Sequence, residues 1–279
     1  MPDISSIFLP HLHNIEPDAQ FTLNLPIVTS SAGNRYYAKL GNVTESDQYI
    51  GEAESLKAIH AAAPGLAPKV FAAGDIGSLS TKPAEILGER IAIELHAFKS
   101  NKGYGFDVPT YCGATRQENG WFETWEECYS SMIENLLLKL KGSHGSTELI
   151  LKGEEVRSRV IPWLLRPLRV EPVLLHGDLW SGNTGVDRIN GQPVIFDPSS
   201  YFGHNEADLA IARIFWGIPS AFFSSYHKHM PKSEPAEQYD LRGDLYELYH
   251  YLNHTVLFGG GYASSALRKM NKLLNDCPQ

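Results

Sequence analysis

Apolar positions along the chain recur mostly at helical spacing, with a few short runs between them that read as strands. Near the N-terminus, Phe21-Thr22-Leu23-Asn24-Leu25-Pro26-Ile27-Val28 and Arg35-Tyr36-Tyr37-Ala38-Lys39-Leu40 flank Ser30-Ser31-Ala32-Gly33-Asn34, the pattern of a β-hairpin. Residues 1–20, broken by Pro2, Pro10 and Pro17, read as a loosely ordered lead-in. Ile50, Ala53, Leu56, Ala58, Ile59 and Ala62 then line one face of a helix that ends at the Pro64–Pro68 break, and Lys69–Ala73 reads as a short strand. A loop to Pro83 precedes a helical pattern from Ala84 to Phe98, in which His96 is a packed helix residue. Residues 100–120, rich in Gly, Tyr and Asn, read as a surface loop, and helices follow from Trp121 to about Lys141 and over 148–169.

The second half is organised around one stretch. Val173-Leu174-Leu175 is an apolar run that turns through His176–Asn183. A hairpin should follow, with Asn190-Gly191 as its turn and Pro193–Phe196 as the returning strand, ending on Asp197. Helices are expected over 204–215, 220–229 and 241–257. Gly259-Gly260-Gly261 stops the last of these, and a basic amphipathic helix closes the chain.

That stretch delivers two carboxylates and an amide to one end of a small sheet by short connections, which is how rigid scaffolds present polar groups at a cleft. His176-x-Asp178, then four residues and Asn183, has the spacing of the protein-kinase catalytic loop, with Gly177 where those enzymes have Arg. Asp197 falls where their metal-binding Asp lies, although Pro198-Ser199 follows it. In phosphoryl transfer the first Asp accepts the attacking hydroxyl's proton, while the Asn and the second Asp hold magnesium against the nucleotide phosphates. Hard oxygen ligands suit that ion. Asp and Asn are also common turn residues, and a lone His-x-Asp says little. The complete set, with a hairpin and an Asp behind it, is far more specific.

Two further residues fit the same chemistry. Lys39 lies on a strand, where a lysine normally faces solvent, but a helix follows it with Glu52 and Glu54 near its start. A strand lysine paired with a carboxylate on the next helix holds the α- and β-phosphates. Glu52 adjoins the Ala53–Leu56 apolar face and is the better partner; Glu54 reads as a solvated charge.

Composition narrows the class without deciding it. The 279 residues are 43% hydrophobic and 20% charged, with a net charge of −8, which argues against a general nucleic-acid or anionic-membrane binder. Three scattered cysteines and eleven dispersed histidines make neither a disulfide framework nor a zinc knuckle. No run approaches the ~20 apolar residues of a membrane helix, and the N-terminus lacks a basic region leading into an apolar core, so the cytosol is the expected compartment.

HGDLWSGN at 176–183, FDPSSYFGHNEADLAIARIF at 196–215 and LYELYHYLNHTVLFGGGY at 245–262 resemble the fructosamine/ketosamine-3-kinase family. The resemblance covers most of residues 35–275, including Asn119–Trp121 and Gly51–Leu56. It implies an α+β, protein-kinase-like bilobal fold shared with aminoglycoside and choline kinases: a small antiparallel-sheet N-lobe over residues 1–85, here shortened, and a mainly helical C-lobe over 86–279. It implies ATP and Mg2+ as cofactors. The reaction implied is phosphorylation of the O3 hydroxyl of ketosamines, on glycated proteins or small molecules, ribulosamine rather than fructosamine; the adduct then eliminates and frees the amine. By motif, Asp178 would be the base, Asn183 and Asp197 the metal ligands, and Lys39 with Glu52 the phosphate anchor. Trp180 would face the sugar, with His176 structural and Asp208 bracing the catalytic loop. Residues 1–20 match the family's first strand poorly. Only about eleven residues, Ile76–Ile86, stand where the family carries a hydrophobic strand and hinge against the adenine. Two other readings follow: a kinase of free aminoglycosides or choline, and a kinase-fold binding protein with an impaired nucleotide site.

Overall fold

The computed structural model describes residues 9, 12–24, 26–37, 46–67, 79–143, 145–186, 191–215 and 217–278. Proline has no N–H to give to a sheet ladder, and the segment expected as one strand over 21–28 is instead two strands divided at Pro26. β1 (Phe21–Asn24) and β2 (Ile27–Ser30) pair antiparallel, and β3 (Arg35–Tyr37) joins the other edge of β2. The lead-in is tied down from Leu12 onward: Leu12 is buried with Val28 and Tyr36, and the Glu16 carboxylate accepts from Tyr36 Oη and from Asn34 Nδ2 at 2.7 Å.

Helix α1 (Ser46–Ala62) follows, with Ile59 fully buried. Lys39 and the strand expected over Lys69–Ala73 lie outside the described residues. Helix α2 (Thr81–Arg90) begins three residues earlier than expected. Its first turn holds Pro83, a place where a missing N–H leaves no bond unmade. It runs on into a wide π-helical turn, Ile91–Leu95.

The loop expected over 100–120 is four short strands. These are β4 (Tyr104–Phe106), β5 (Thr110–Cys112), β6 (Thr115–Gln117) and β7 (Gly120–Phe122). Trp121 and Phe122 therefore belong to a strand, and α3 (Trp125–Lys141) starts only after Thr124, which forms a capping box with Glu127. The helix expected over 148–169 is α4 (Thr147–Glu155), a π-helical turn Val156–Val160 and α5 (Ile161–Leu165). The wide turn precedes Pro162, which has no N–H for an unbroken α-helix.

β8 (Val173–Leu175) leads into the candidate site, and β9 (Thr184–Val186) pairs with β10 (Pro193–Ile195) as the expected hairpin. Gly191 has φ 70°, while its expected turn partner Asn190 lies outside the described residues. β11 (Tyr201–Gly203) pairs with β8 through Tyr201–Leu175 and Gly203–Val173 and with β4 at Phe202–Gly105, giving a sheet of order β7-β4-β11-β8. The helix expected over 204–215 is two pieces, α6 (Asn205–Asp208) and α7 (Ala210–Ile214), with the break just after Asp208. Helices α8 (Ser220–His229), α9 (Tyr239–Phe258) and α10 (Gly261–Asp276) complete the chain, and one core joins residues of α2, α3, α5, β8 and α9. Among the described residues no helix is long and apolar enough to cross a membrane.

Candidate active site

The apolar residues of β8 are buried, so the chain emerges from the core at His176 already fixed in direction. A buried carboxylate then shapes the next two peptides. Asp208 accepts the backbone N–H of His176 at 2.8 Å and of Gly177 at 2.8 Å, and His96 Nε2 lies 3.1 Å from it. Burial alone would raise the Asp208 pKa, but the hydrogen bond from His96, the electrostatic pull of the His96 and His176 side chains and the His176 backbone N–H outweigh it and hold it below the usual value. His96, 0% exposed, is positioned from its other side by Tyr226 Oη at 2.7 Å.

Gly177 answers to geometry. Its φ is 84°, and a Cβ there would stand 2.0 Å from the Ser199 carbonyl oxygen. Ser199 N–H in turn donates to the His176 carbonyl at 2.8 Å, so the two halves of the site lie flat against each other. Any side chain in place of Gly177 would pry them apart. The His176 ring is neutral: Asp178 N–H donates to Nδ1 at 3.2 Å, which leaves Nε2 to donate to the Phe196 carbonyl at 3.0 Å. Burial lowers its pKa.

Asp178, Asn183 and Asp197 come together as the spacing predicts. Asn183 Nδ2 donates to the Asp178 carboxylate at 3.0 Å and to its carbonyl at 2.9 Å, and lies 3.5 Å from the Asp197 carbonyl. With the amide nitrogen turned toward Asp178, the amide oxygen is the atom free to face a cation. Asp197 follows β10 in the left-handed region, φ 53°, which Asp tolerates better than most residues. The Asn183 amide oxygen and the Asp197 carboxylate are hard donors of the kind that fits Mg2+. The Asp178 pKa is raised to about 7, chiefly by burial and further by Asp208 and Asp197, against hydrogen bonds from Asn183 and Cys112.

Helix α1 is fastened to this loop. Ser55 Oγ donates to the Gly51 carbonyl at 2.8 Å and accepts Ser200 N–H at 3.0 Å. Gly51 lets the helix approach β5, since a Cβ there would stand 2.5 Å from the Pro109 carbonyl oxygen. Glu52 is thus carried on a helix tied to the Asp197 segment; Lys39 lies outside the described residues. Trp180 closes over Gly182 and packs 5.6 Å from Phe215, which continues through His254 at 5.0 Å to Tyr262 at 5.0 Å.

Three residues at the site are not singled out by the spacing of the catalytic loop. Cys112, at the turn of the β5–β6 hairpin, hydrogen-bonds the Asp178 carboxylate; Asn253 Nδ2 donates to the Cys112 carbonyl at 3.2 Å, and His250 lies beside them. The Asn119 of the Asn-Gly-Trp motif braces this hairpin: Nδ2 donates to Val108 O at 2.8 Å and Thr110 Oγ1 at 3.0 Å.

Comparison with known proteins decides what this loop belongs to. The sequence model described as fructosamine kinase matches residues 18–276. The chain belongs to the fructosamine kinase family. It is a phosphotransferase. It is 37% identical over 263 residues to the protein-ribulosamine 3-kinase, chloroplastic, of Arabidopsis thaliana, covering 88% of this chain and 78% of that one. It is 42% identical over 171 residues to the ketosamine-3-kinase of Mus musculus, covering 61% and 53%. Among solved structures, a candidate fructosamine-3-kinase from Thermobifida fusca superposes with a TM-score of 0.77 at 22% identity over 92% of this chain and 93% of that one. The ADP-bound aminoglycoside phosphotransferase APH(2'')-Ib superposes with 0.54 at 12% over 97% of each. The family's α+β, protein-kinase-like fold is thus the fold of this chain.

Proposed function

We propose that the chain is an ATP-dependent kinase of protein-bound ketosamines, ribulosamine before fructosamine, that phosphorylates the sugar's O3 hydroxyl and so starts deglycation. The observation that carries this reading is Asp178, a half-buried carboxylate with a pKa of about 7, held by Asn183 next to Asp197. A base serves best when its pKa lies near the working pH. Asp178 takes the O3 proton as that oxygen bonds to the γ-phosphorus and ADP departs; the phosphorylated adduct then eliminates and releases the amine. Mg2+, held by Asn183 and Asp197, would neutralise phosphate charge. Lys39 and Glu52 anchor the phosphates, and residues 1–85 handle nucleotide while 86–279 carry the catalytic and acceptor groups. Trp180 lines the sugar side through its row of aromatic neighbours. The names of the Arabidopsis and mouse relatives, a protein-ribulosamine 3-kinase and a ketosamine-3-kinase, support this acceptor class.

The test offers ATP and Mg2+ with a lysine peptide bearing ribulosamine, one bearing fructosamine, an aminoglycoside and choline. Phosphate transfer to the ribulosamine peptide, followed by amine release, is expected. Asp178→Ala should lose a factor on the order of 10²–10⁴ in rate. Turnover of the free small molecules alone, or an undiminished variant, would reject the reading. Calorimetry with ATP and Mg2+ checks the nucleotide half; micromolar binding is expected, and no heat would favour a binding protein.

A further inference from the structure

Two of the three residues outside the catalytic-loop spacing, Cys112 and His250, have a further chemistry together with Asp178. Ligand atoms of Cys112, Asp178 and His250 all lie within 4.8 Å of one another. Tetrahedral zinc, with bonds of ~2.0–2.3 Å, sets its ligand atoms about 3.3–3.8 Å apart, so closure over an ion needs side-chain movement of at most roughly 1.5 Å. Sulfur, imidazole nitrogen and carboxylate oxygen are a borderline-soft set, matched to zinc and not to magnesium.

A second observation points the same way. His250 is only 4% exposed, yet its Nδ1 has no hydrogen-bond partner among the described residues, and the neighbouring Asn253 Oδ1, in a residue 1% exposed, has none either. Buried polar atoms are nearly always satisfied, and those that are not call for an unseen partner. Asp178 is only half-buried, so the cluster reaches solvent through it.

We infer that Cys112, His250 and Asp178 form a Zn2+ site, distinct from the Asn183–Asp197 pair, at which zinc inhibits the enzyme by ligating its base. Binding exchanges the Cys112 S–H bond for a sulfur–zinc bond and gives the proton to solvent. Three protein ligands leave a fourth position for water. The ion does not change oxidation state. The inhibition rests on the role proposed for Asp178, whereas the binding does not.

Co2+ titration of the full chain without nucleotide separates the two. The expected result is a thiolate-to-cobalt charge-transfer band with the intense visible bands of a tetrahedral site, saturating at one ion per chain. Cys112→Ser should abolish the charge-transfer band, with Cys128 and Cys277 still present as internal controls, and His250→Gln should weaken binding at least about tenfold. In the kinase assay, the half-inhibitory Zn2+ concentration should rise at least about tenfold in each variant, measured against its own zinc-free rate, and excess Mg2+ should not relieve inhibition of the unmodified enzyme. No band in the unmodified chain, or a band persisting in Cys112→Ser, overturns the site. Inhibition that Mg2+ relieves equally in all three proteins places zinc at the nucleotide's metal and overturns it too. A normal band with undiminished turnover keeps the site and removes Asp178 from the base role.

Discussion

Two glycines near the site show how a single residue fixes the loop. Gly177 and Gly191 both have φ in the left-handed region, at 84° and 70°. A Cβ on Gly177 meets the Ser199 carbonyl oxygen at 2.0 Å, whereas one on Gly191 meets nothing within 4 Å. Gly191→Ala should therefore cost only the conformational penalty, about 1 kcal/mol, with activity kept. Gly177→Ala should cost that plus the displacement of Ser199, about 1–3 kcal/mol or more, and should lower the rate because Asp197 sits two residues before the displaced carbonyl. Urea unfolding and a rate measurement on both variants check this. Equal losses in the two would show that φ alone matters and that the Ser199 contact is incidental. The same contact explains why the protein-kinase Arg cannot stand at this position.

Among the elements, α1 reaches the Asp197 segment through a buried hydroxyl. Ser55, 0% exposed, holds the Ser200 N–H at 3.0 Å, three residues after Asp197. Ser55→Ala removes that partner from a buried donor and should cost about 1–3 kcal/mol. The rate should fall while the acceptor KM stays near its original value, because the metal-side segment is loosened and the sugar side is not. A destabilised variant with full rate would detach α1 from catalysis. This tie was not legible in the sequence, since Ser55 and Ser200 are far apart and carry no shared pattern. What was legible was contiguous: the apolar run of β8, the His176–Asn183 turn and the hairpin to Asp197 all lie within one stretch. Helices α8 and α9 were read almost to their ends for the same reason, a local periodicity. The strands of 104–122 were missed because each is three residues long, too short to show alternation, and β4 finds its second partner, β11, only at Phe202. Cys112 and His250 were invisible as site residues because the hairpin and the helix that bring them together are distant in sequence.

Across the whole molecule, the polar groups that join its parts are buried without charge or in paired charge, and that sets the pH at which it unfolds. His204 contacts Tyr246 Oη at 2.8 Å and Ser233 Oγ at 2.8 Å. Two residues on, Glu206 pairs with Arg242 at 2.7 Å with both side chains buried, and Arg242 also donates to the Ser233 and Pro235 carbonyls. Helices α6 and α9 and the 233–235 segment thus meet at one polar knot. Burial lowers the His204 pKa from 6.5 to about 4, reinforced by Arg242 and His96 against the pull of Glu206. Burial takes His250 to about 3. A histidine whose native pKa lies below its unfolded value holds fewer protons folded than unfolded, so stability falls as pH drops from about 7 through that interval. Between pH 7 and 5 each of these two should remove about 2 kcal/mol. Asp178, with its pKa raised to about 7, binds its proton in the folded state first and works the other way over the same range. Glu206 and Asp208, whose pKa values are lowered, begin to matter only below the usual carboxylate range. The two histidines outweigh the one aspartate, and a net loss of stability at pH 5 is expected. His204→Gln isolates one contribution: it should be less stable than the unmodified chain at pH 7, but its loss from pH 7 to 5, read from urea midpoints, should be smaller by about 2 kcal/mol. An unchanged pH slope in that variant would mean that His204 is already protonated in the knot, with Glu206 and not burial deciding its charge.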